Sequence, residues 1–376
     1  MRIIISGGGT GGHIYPAVTI AKAIQGLVDS SEILFVGTKK GMEADIVPKE
    51  GFDFAGIESR GFERRLSMDT VYTVLSTLKG IGQSFKIIRR FKPDVVIGTG
   101  GYVCGPVLLA ACLLGIPAMI QEQNVVPGVT NKILSRLVKK VAVGYSDAAK
   151  FFGKQVDKVV VTGNPVRSDV LSATREEGLK AFKLNEDKLT LLVSGGSRGA
   201  RTINQAMVEV CRRFAGRSDI QVLHVTGQSE YNNMVSSVKQ LGIDVAKTGN
   251  ISIVPYLYNM PLALAAADIA IFRAGAIGLA ELTARGIPSV LVPYPYAAEN
   301  HQEFNAMVLE KCGAAIVIKD AELTGDILAE VIEQLVNNKA ELSAMAQSSK
   351  KMGQPDAAVA IARMAIELTD ISIERM

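Results

Sequence analysis

The chain has 376 residues, of which 48% are hydrophobic and 21% are charged, and its formal net charge is +4 at pH 7. This length predicts two domains, and the composition excludes a disordered chain, a collagen-like repeat and a disulfide-stapled scaffold. Four cysteines without a C-x-x-C pair and only three histidines argue against a zinc cluster, so we expect no bound metal.

Short apolar runs alternate with amphipathic segments along the whole chain, as is typical of buried parallel strands joined by helices. In chain order, the predicted strands are Ile3–Ser6, Ile33–Val36, Val95–Ile97, Pro117–Ile120, Val141–Val143, Val159–Val161, Leu189–Ser194, Val222–Val225, Ile251–Val254, Ile269–Phe272, Ser289–Val292 and Ala315–Ile318. This alternation predicts an α/β fold of doubly wound parallel sheets.

The two halves of the chain begin alike, because in each a predicted strand is followed by a glycine-rich loop, at 7–12 and at 195–199. We therefore predict two Rossmann-like domains, 1–164 and 165–355, with a ligand in the cleft between them. A final helix within 356–376 is expected to pack back toward the first domain.

The first glycine loop has the spacing G-x-G-x-x-G, which on its own is weak evidence for a dinucleotide site. The second predicted strand ends without the acidic residue that would hold a ribose, so NAD is disfavoured. A Walker A motif and a D-x-D motif are both absent from the sequence. Glycine loops that precede helices suit a diphosphate or a developing oxyanion, and we expect no cofactor.

Eight motifs in matching order resemble the MurG family of bacterial glycosyltransferases. They are GGGTGGH (7–13), GTGGYVCGP (98–106), EQN (122–124), GVTNK (128–132), GNPVR (163–167), GGSRGA (195–200), RAGAIGLAE (273–281) and HQEFNA (301–306). The resemblance implies a GT-B architecture with the acceptor on the first domain and the nucleotide sugar on the second. It also implies inverting transfer of GlcNAc from UDP-GlcNAc to the C4 hydroxyl of the MurNAc sugar of undecaprenyl-pyrophosphoryl-MurNAc-pentapeptide, in peptidoglycan synthesis.

His13 ends the first glycine loop, and an imidazole, whose unperturbed pKa lies near 6.5, suits a general base at neutral pH. A histidine that only anchors the loop is the alternative. The resemblance places Asn124 and the loop residues Thr10, Gly11 and Gly12 near the sugar and the acceptor diphosphate. It assigns the donor diphosphate to Ser197 and Arg167, the ribose to Glu281 and the sugar hydroxyls to Gln302. The remaining donor-site residues are Leu257, Ala276, Ile277, Gly278, Leu279 and Ala280. Leu257 and the residues from Ala276 to Leu279 are expected to act through the backbone. Gln121 stands where relatives often have histidine, and we assign it no catalytic role.

The basic residues are unevenly distributed, since residues 60–92 contain eight basic and two acidic side chains. An apolar stripe with helical spacing runs through this segment, in Met68, Val71, Leu75, Leu78, Ile81, Phe85 and Ile88. Gly80 and Gly82 are expected to interrupt the helix. Together these features predict a peripheral site for anionic lipids, although a stripe that packs on the sheet is the alternative. The lipid-linked acceptor that the resemblance implies places this site at the cytoplasmic face of the inner membrane.

The sequence also leaves other functions open. Another GT-B enzyme that uses a UDP-sugar, such as a diacylglycerol glycosyltransferase or a UDP-GlcNAc 2-epimerase, would share this architecture. A sugar-binding receptor is disfavoured because such receptors are usually exported, and the residues before the first glycine loop lack the apolar core of a signal peptide. Nucleic-acid binding lacks a recognised module. The expected partners are UDP-GlcNAc, the lipid-linked muramoyl peptide, membrane lipids and other cell-wall synthesis proteins.

Overall fold

The structure, a computed structural model, describes residues 1–60, 68–196 and 199–369. Ser197, one of the predicted diphosphate ligands, lies outside these residues, and so does the basic stretch 61–67. The described chain forms two compact units: one within Met1–Val166 and Pro355–Met376, the other within Arg167–Gln354. Each is built on one parallel sheet, as the alternating pattern predicted.

The first unit contains a seven-stranded sheet with the order β3-β2-β1-β4-β5-β6-β7. Its strands are β1 (Arg2–Gly7), β2 (Glu32–Thr38), β3 (Asp53–Ile57), β4 (Val95–Gly100), β5 (Ala118–Glu122), β6 (Lys140–Val143) and β7 (Val159–Val161). Its first five helices are α1 (Gly11–Leu27), α2 (Glu43–Lys49), α3 (Met68–Phe91), α4 (Cys104–Leu113) and α5 (Val129–Leu134). A 3-10 segment, Ser146–Lys158, is kinked at Gly153.

The second unit contains a six-stranded sheet with the order β10-β9-β8-β11-β12-β13. Its strands are β8 (Leu189–Ser194), β9 (Ile220–Val225), β10 (Ile251–Val254), β11 (Ile269–Phe272), β12 (Ser289–Leu291) and β13 (Ala315–Val317). Its helices are α6 (Ser168–Ser172), α7 (Arg175–Phe182), α8 (Arg201–Phe214), α9 (Tyr231–Gln240), α10 (Val245–Thr248), α11 (Met260–Ala266), α12 (Ala276–Arg285), α13 (His301–Lys311), α14 (Gly325–Asn337) and α15 (Lys339–Met352), with a short 3-10 turn at Ala298–Asn300.

The helices cover both faces of each sheet, which explains why the strands are continuous apolar runs. In β1, Ile3 and Ile5 belong to one core cluster and Ile4 belongs to the cluster on the opposite face. Successive side chains of a strand point to opposite faces, so only a strand covered on both sides is apolar throughout. The last helix, α16 (Ala357–Glu367), packs against α1 in the first unit and adds Ile361 and Ala365 to its core.

Two expectations about the first unit were wrong. Strand β3 was not predicted, because its sequence, DFAGI, has no apolar run; it lies at the edge of the sheet, where it pairs with β2. Helix α3 is not interrupted at Gly80 and Gly82, since it continues from Met68 to Phe91. Gly80 is buried, and a Cβ atom there would collide with the carbonyl oxygen of Glu58. The glycine allows the chain after β3 to cross the helix closely.

Candidate functional site

The first glycine loop connects β1 to α1 and places His13 in the first turn of that helix. Thr10 is the N-cap residue, and its carbonyl oxygen accepts from the N–H groups of His13 and Ile14 at 3.1 and 3.2 Å. Thr10 and Gly12 are exposed, whereas His13 is half-buried. The loop therefore presents its backbone at the carboxyl edge of the sheet, where parallel α/β sheets bind ligands.

The His13 imidazole is held by two neighbouring segments of the first unit. Its Nδ1 lies 3.1 Å from the carbonyl oxygen of Thr99 and 3.1 Å from Oε1 of Gln123. Thr99 belongs to β4 and Gln123 directly follows β5, so three strand ends meet at this ring. Among the residues that the structure describes, Nε2 has no hydrogen-bond partner. A ring held at one nitrogen and open at the other can act as a general base.

Glu43 supports the same glycine loop, and the sequence analysis did not predict this role. Its side chain is fully buried in the first turn of α2. Oε2 accepts from the Gly9 N–H at 3.2 Å, while Oε1 accepts from the N–H and the hydroxyl of Thr38 at 2.9 and 2.7 Å. An acidic residue in a first helical turn is common, so nothing in the sequence distinguished it from a solvated side chain.

Glu122 organises the loop that carries Asn124. This carboxylate is buried at the end of β5, where it accepts from the N–H groups of Asn124 and Gly128 at 3.0 and 3.1 Å and from the side-chain amides of Asn124 and Asn131 at 3.2 and 2.7 Å. Four donors compensate the cost of burying the charge. The EQN motif therefore builds a rigid loop whose half-buried Asn124 lies beside Gln123, the partner of His13.

In the second unit, Glu281 and Arg167 form an ion pair. The Nε atom of Arg167 donates to Oε1 of Glu281 at 2.9 Å, and the Glu281 side chain is almost completely buried on α12. Burial raises the pKa of the Glu281 carboxyl, and the charge of Arg167 partly opposes that rise. The structure thus brings together the residues predicted for the ribose and for the donor diphosphate.

Helix α12 begins with the predicted backbone ligands. Gly275 is its N-cap residue. The first hydrogen bond of the helix runs from the Leu279 N–H to the Gly275 carbonyl oxygen at 3.0 Å. The N–H groups of Ala276, Ile277 and Gly278 precede that bond, so they remain at the positive end of the helix dipole. This ten-residue helix offers three donors to an anion, with Ala280 and Glu281 one turn further on.

The loops after β10 and β12 hold the remaining predicted residues. Leu257 is half-buried in the loop that follows β10. Gln302, in the first turn of α13, accepts from the Tyr294 N–H through Oε1 at 3.0 Å. It therefore stabilises the loop after β12, a role that the sequence did not indicate.

Arg273 was also missed, although it begins the motif RAGAIGLAE. Its guanidinium is largely buried, and it donates to the carbonyl oxygens of Val292 and Pro293, to Asp320 and to the hydroxyl of Thr202. These contacts connect the loops after β11, β12 and β13 with the start of α8. Only the long-range contacts reveal this role.

Two structural features bear on metals and membranes. The described residues contain no group of three or more His, Cys, Asp or Glu side chains arranged to hold a metal ion. Within the same part of the chain, no helix combines the length and the apolar character that a membrane span requires.

Comparison with known proteins identifies the family. Residues 3–143 match the glycosyltransferase family 28 N-terminal domain, and residues 190–361 match the family 28 C-terminal domain. The UDP-N-acetylglucosamine--N-acetylmuramyl-(pentapeptide) pyrophosphoryl-undecaprenol N-acetylglucosamine transferase of Desulforamulus reducens is 51% identical over 357 residues, which cover 95% of this chain and 96% of that protein.

Two solved structures extend the comparison. The crystal structure of Acinetobacter baumannii MurG has a TM-score of 0.77 at 27% identity and covers 97% of this chain and 99% of its own. A UDP-GlcNAc 2-epimerase from Neisseria meningitidis has a TM-score of 0.70 at 16% identity, covering 98% of this chain and 100% of its own, so it shares the fold alone. The chain belongs to glycosyltransferase family 28, in the group of UDP-N-acetylglucosamine--N-acetylmuramyl-(pentapeptide) pyrophosphoryl-undecaprenol N-acetylglucosamine transferases.

Proposed function

We propose that this protein transfers GlcNAc from UDP-GlcNAc to the C4 hydroxyl of the MurNAc sugar of undecaprenyl-pyrophosphoryl-MurNAc-pentapeptide, which converts lipid I to lipid II. The observation that carries the proposal is the sequence similarity to named transferases, which are about 50% identical over nearly the full length of both chains. The first unit binds the acceptor and the second binds UDP-GlcNAc.

His13 is the general base of this reaction. Its Nε2 accepts the proton of the C4 hydroxyl while that oxygen bonds to the anomeric carbon of GlcNAc from the face opposite to UDP. The bond between the anomeric carbon and the β-phosphate oxygen breaks, and UDP leaves with the electron pair. The imidazolium then returns its proton to water. Inversion follows because the attacking and leaving oxygens lie on opposite faces of the sugar.

The second unit stabilises the departing diphosphate. The N–H groups at the start of α12 and the guanidinium of Arg167 supply donors and positive charge where negative charge develops. Glu281 accepts from the ribose hydroxyls through Oε2, which has no partner among the described residues. Gln302 reads the hydroxyls of the donor sugar through Nε2, since its Oε1 accepts from the Tyr294 N–H. Ser197 and Leu257 are proposed to complete the site, at the diphosphate and the uracil.

The test of the proposal is incubation with labelled UDP-GlcNAc and a short-chain lipid I analogue. Label transferred to the lipid supports it, whereas conversion to the 2-epimer without transfer would show that the fold shared with the epimerase extends to its chemistry. His13→Ala should lower kcat by about 10²-fold or more, with UDP binding unchanged. Loss of UDP binding with a normal kcat at saturation would refute the base assignment.

We further propose that the first unit binds anionic lipids peripherally, at the cytoplasmic face of the membrane. The apolar stripe of α3 is divided: Ile88 is buried in the core and Phe85 packs against it, whereas Leu75 and Leu78 are 57% and 59% exposed. Lys79 lies beside them and pairs with Glu58 at 2.8 Å.

The neighbouring helices also expose apolar side chains, and they belong to the same layer, since α3 packs on α4 and α4 packs on α5. The exposed apolar residues of α4, α5 and the turn after α5 are Leu113, Val129, Ile133 and Leu137, and the basic residues Lys132 and Arg136 lie in the last two of these segments. Apolar side chains that insert at the headgroup boundary and cations that attract anionic lipids together suffice for peripheral binding.

The membrane proposal is tested with Leu75→Ser/Leu78→Ser, and Phe85 is left intact because it contributes to the core. The double variant should bind vesicles of phosphatidylglycerol more weakly and should lose activity on membrane-embedded acceptor but not on a water-soluble analogue. Leu241→Ser is the control, since this leucine is also exposed but lies in the second unit. Equal loss on both acceptors would refute the proposal.

A further inference from the structure

A chain of three buried side-chain amides lies behind the His13 imidazole. Gln121, Gln123 and Asn164 are each at most 3% exposed, and all three belong to the first unit. Gln121 is at the end of β5, Gln123 follows that strand, and Asn164 follows β7. An amide has a donor end and an acceptor end, so a connected chain of amides can hold its members in one orientation.

The orientation of the Gln123 amide is set by the main chain. Its Nε2 lies 2.6 Å from the carbonyl oxygen of Thr99 and 3.2 Å from the carbonyl oxygen of Gln121. Both carbonyl oxygens can only accept, so the nitrogen end of this amide must face them. The oxygen end, Oε1, therefore faces Nδ1 of His13.

The other two amides reinforce this orientation. Asn164 Nδ2 donates to the main-chain oxygen of Gln123 at 2.9 Å, which turns Asn164 Oδ1 toward Gln121 Nε2 at 3.0 Å. Gln121 Oε1 then accepts from Gln123 Nε2. Each member is thus fixed by its neighbour, and the first orientation is fixed by a main-chain carbonyl group.

We propose that Gln123 is a positioning residue that, together with the Thr99 carbonyl oxygen, fixes the tautomer of His13. Nδ1 is placed between the Thr99 carbonyl oxygen and Gln123 Oε1, and because both are acceptors, Nδ1 must carry the proton of the neutral ring. Nε2 is then the unprotonated nitrogen, ready to accept a proton from the acceptor hydroxyl. This inference rests on the proposed role of His13 as the base and adds what prepares it.

Gln121 and Asn164 act one step further away, through Gln123. Amides do not titrate in the range where proteins are folded. The hydrogen bonds among the three amides therefore keep the same donors and acceptors at every pH at which the enzyme works. His13 is the one ionisable side chain in the network formed by these four residues. The amides therefore cannot take up a proton from the ring, and a proton that binds at Nε2 is released again from Nε2.

The tautomer can be measured directly in the full-length protein. The sequence contains only three histidines, so long-range proton–nitrogen correlation spectra of protein labelled with 15N-histidine, recorded above pH 8, resolve each ring, and His13→Ala assigns its signals. We expect His13 to be protonated at Nδ1. In Gln123→Met only the Thr99 carbonyl oxygen remains to accept from Nδ1, so the fraction of the ring protonated at Nε2 should rise. We expect kcat to fall by about 10- to 100-fold, a part of what general-base catalysis supplies. The KM for UDP-GlcNAc should be unchanged.

Gln221→Met is the matched control. Gln221 is a buried glutamine of β9 in the second unit, where it donates to the Asn185 carbonyl oxygen at 2.7 Å and to the Thr190 hydroxyl at 3.0 Å, and accepts from the Asn185 N–H at 2.9 Å. Its replacement should reduce stability by a similar amount and leave both the His13 spectrum and kcat unchanged.

Three outcomes would overturn the proposal. The first is a wild-type His13 ring protonated at Nε2, a result that does not depend on any variant folding. The second is a Gln123→Met variant with the wild-type spectrum and the wild-type kcat. The third is a reduced kcat with an unchanged tautomer, which would leave Gln123 a structural role only. If His13→Ala instead retained full kcat, the base assignment would fail while the tautomer measurement remained valid.

Discussion

Replacing Gly100 by alanine should displace the His13 imidazole without altering the histidine side chain itself. Gly100 is the last residue of β4, and a Cβ atom there would lie 2.7 Å from Nδ1 and 2.8 Å from Cε1 of His13. Carbon atoms in favourable contact are about 3.5–4.0 Å apart, so the ring must move by roughly 1 Å. A displacement of about 1 Å of a reacting group can lower the rate by about 10²-fold. We expect kcat to fall by that factor.

The alanine also introduces backbone strain, which needs its own control. Gly100 has a φ of 111°, and a side chain in left-handed backbone costs about 1–2 kcal/mol. Gly51, in the turn between α2 and β3, has a φ of 86°, and nothing lies within 4 Å of a Cβ added there. Gly51→Ala therefore introduces strain in the same unit without touching the imidazole.

The two alanine variants are compared by thermal unfolding and by steady-state kinetics with UDP-GlcNAc and a lipid-linked acceptor. Both should lose stability through backbone strain, and Gly100→Ala should lose more because its Cβ atom also meets the His13 ring. Only Gly100→Ala should lose kcat, while its KM for the donor stays near the wild-type value. If kcat falls equally in both variants, or in neither, then the position of the His13 ring does not control the rate and the reasoning is refuted.

Three further predictions concern buried ionisable groups. Glu281→Ala should raise the donor KM by about 10- to 100-fold, because charge-assisted hydrogen bonds contribute about 1.5–3 kcal/mol, and an unchanged KM in folded protein would remove the ribose assignment. Glu43→Gln should lower the free energy of unfolding in urea by about 1–3 kcal/mol, because the amide cannot accept from both Gly9 and Thr38; an unchanged value would contradict its role in the loop. Burial lowers the pKa of His224 to about 3, so the unfolded chain binds the extra proton below pH 6.5. The free energy of unfolding should then fall as the pH drops from about 6.5 toward 3, by up to about 1.4 kcal/mol per pH unit, and His224→Gln should remove this part of the slope.

The strands were predictable because burial on both faces leaves a local signal. Twelve of the thirteen strands that the structure describes coincide with apolar runs, and β3 escaped because an edge strand with polar and glycine residues carries no such run. In α3 the sequence predicted an interruption that is not there, because Gly80 was interpreted as the end of a helix. A glycine required by a close tertiary contact is indistinguishable in sequence from one that ends a helix.

The candidate site was predictable where a motif carries the chemistry and not where distant residues support it. His13 and Glu281 stand out within glycine-rich motifs. Their partners do not, since Gln123 lies 110 positions from His13 and Arg167 lies 114 positions from Glu281. Arg167 was predicted as a diphosphate ligand from its own motif, but no local pattern indicated its ion pair with Glu281. Contacts at such separation depend on strand order, which the periodicity of a single strand does not specify.

Strand order explains why these residues meet. In the first sheet the chain reverses its direction of growth between β1 and β4, and in the second it does so between β8 and β11. The loops that follow the two central strands diverge to opposite faces at such a point, which opens a crevice at the carboxyl edge. His13, in the first turn of the helix after β1, is hydrogen-bonded to Thr99 of β4. In the second unit, Arg273, which follows β11, donates a hydrogen bond to Thr202 in the helix after β8. In each sheet, therefore, a hydrogen bond links the chain near the carboxyl ends of the two strands at which the order reverses. The same geometry places an imidazole in one unit and a cluster of donors in the other, because the segments that follow the corresponding strands differ in sequence.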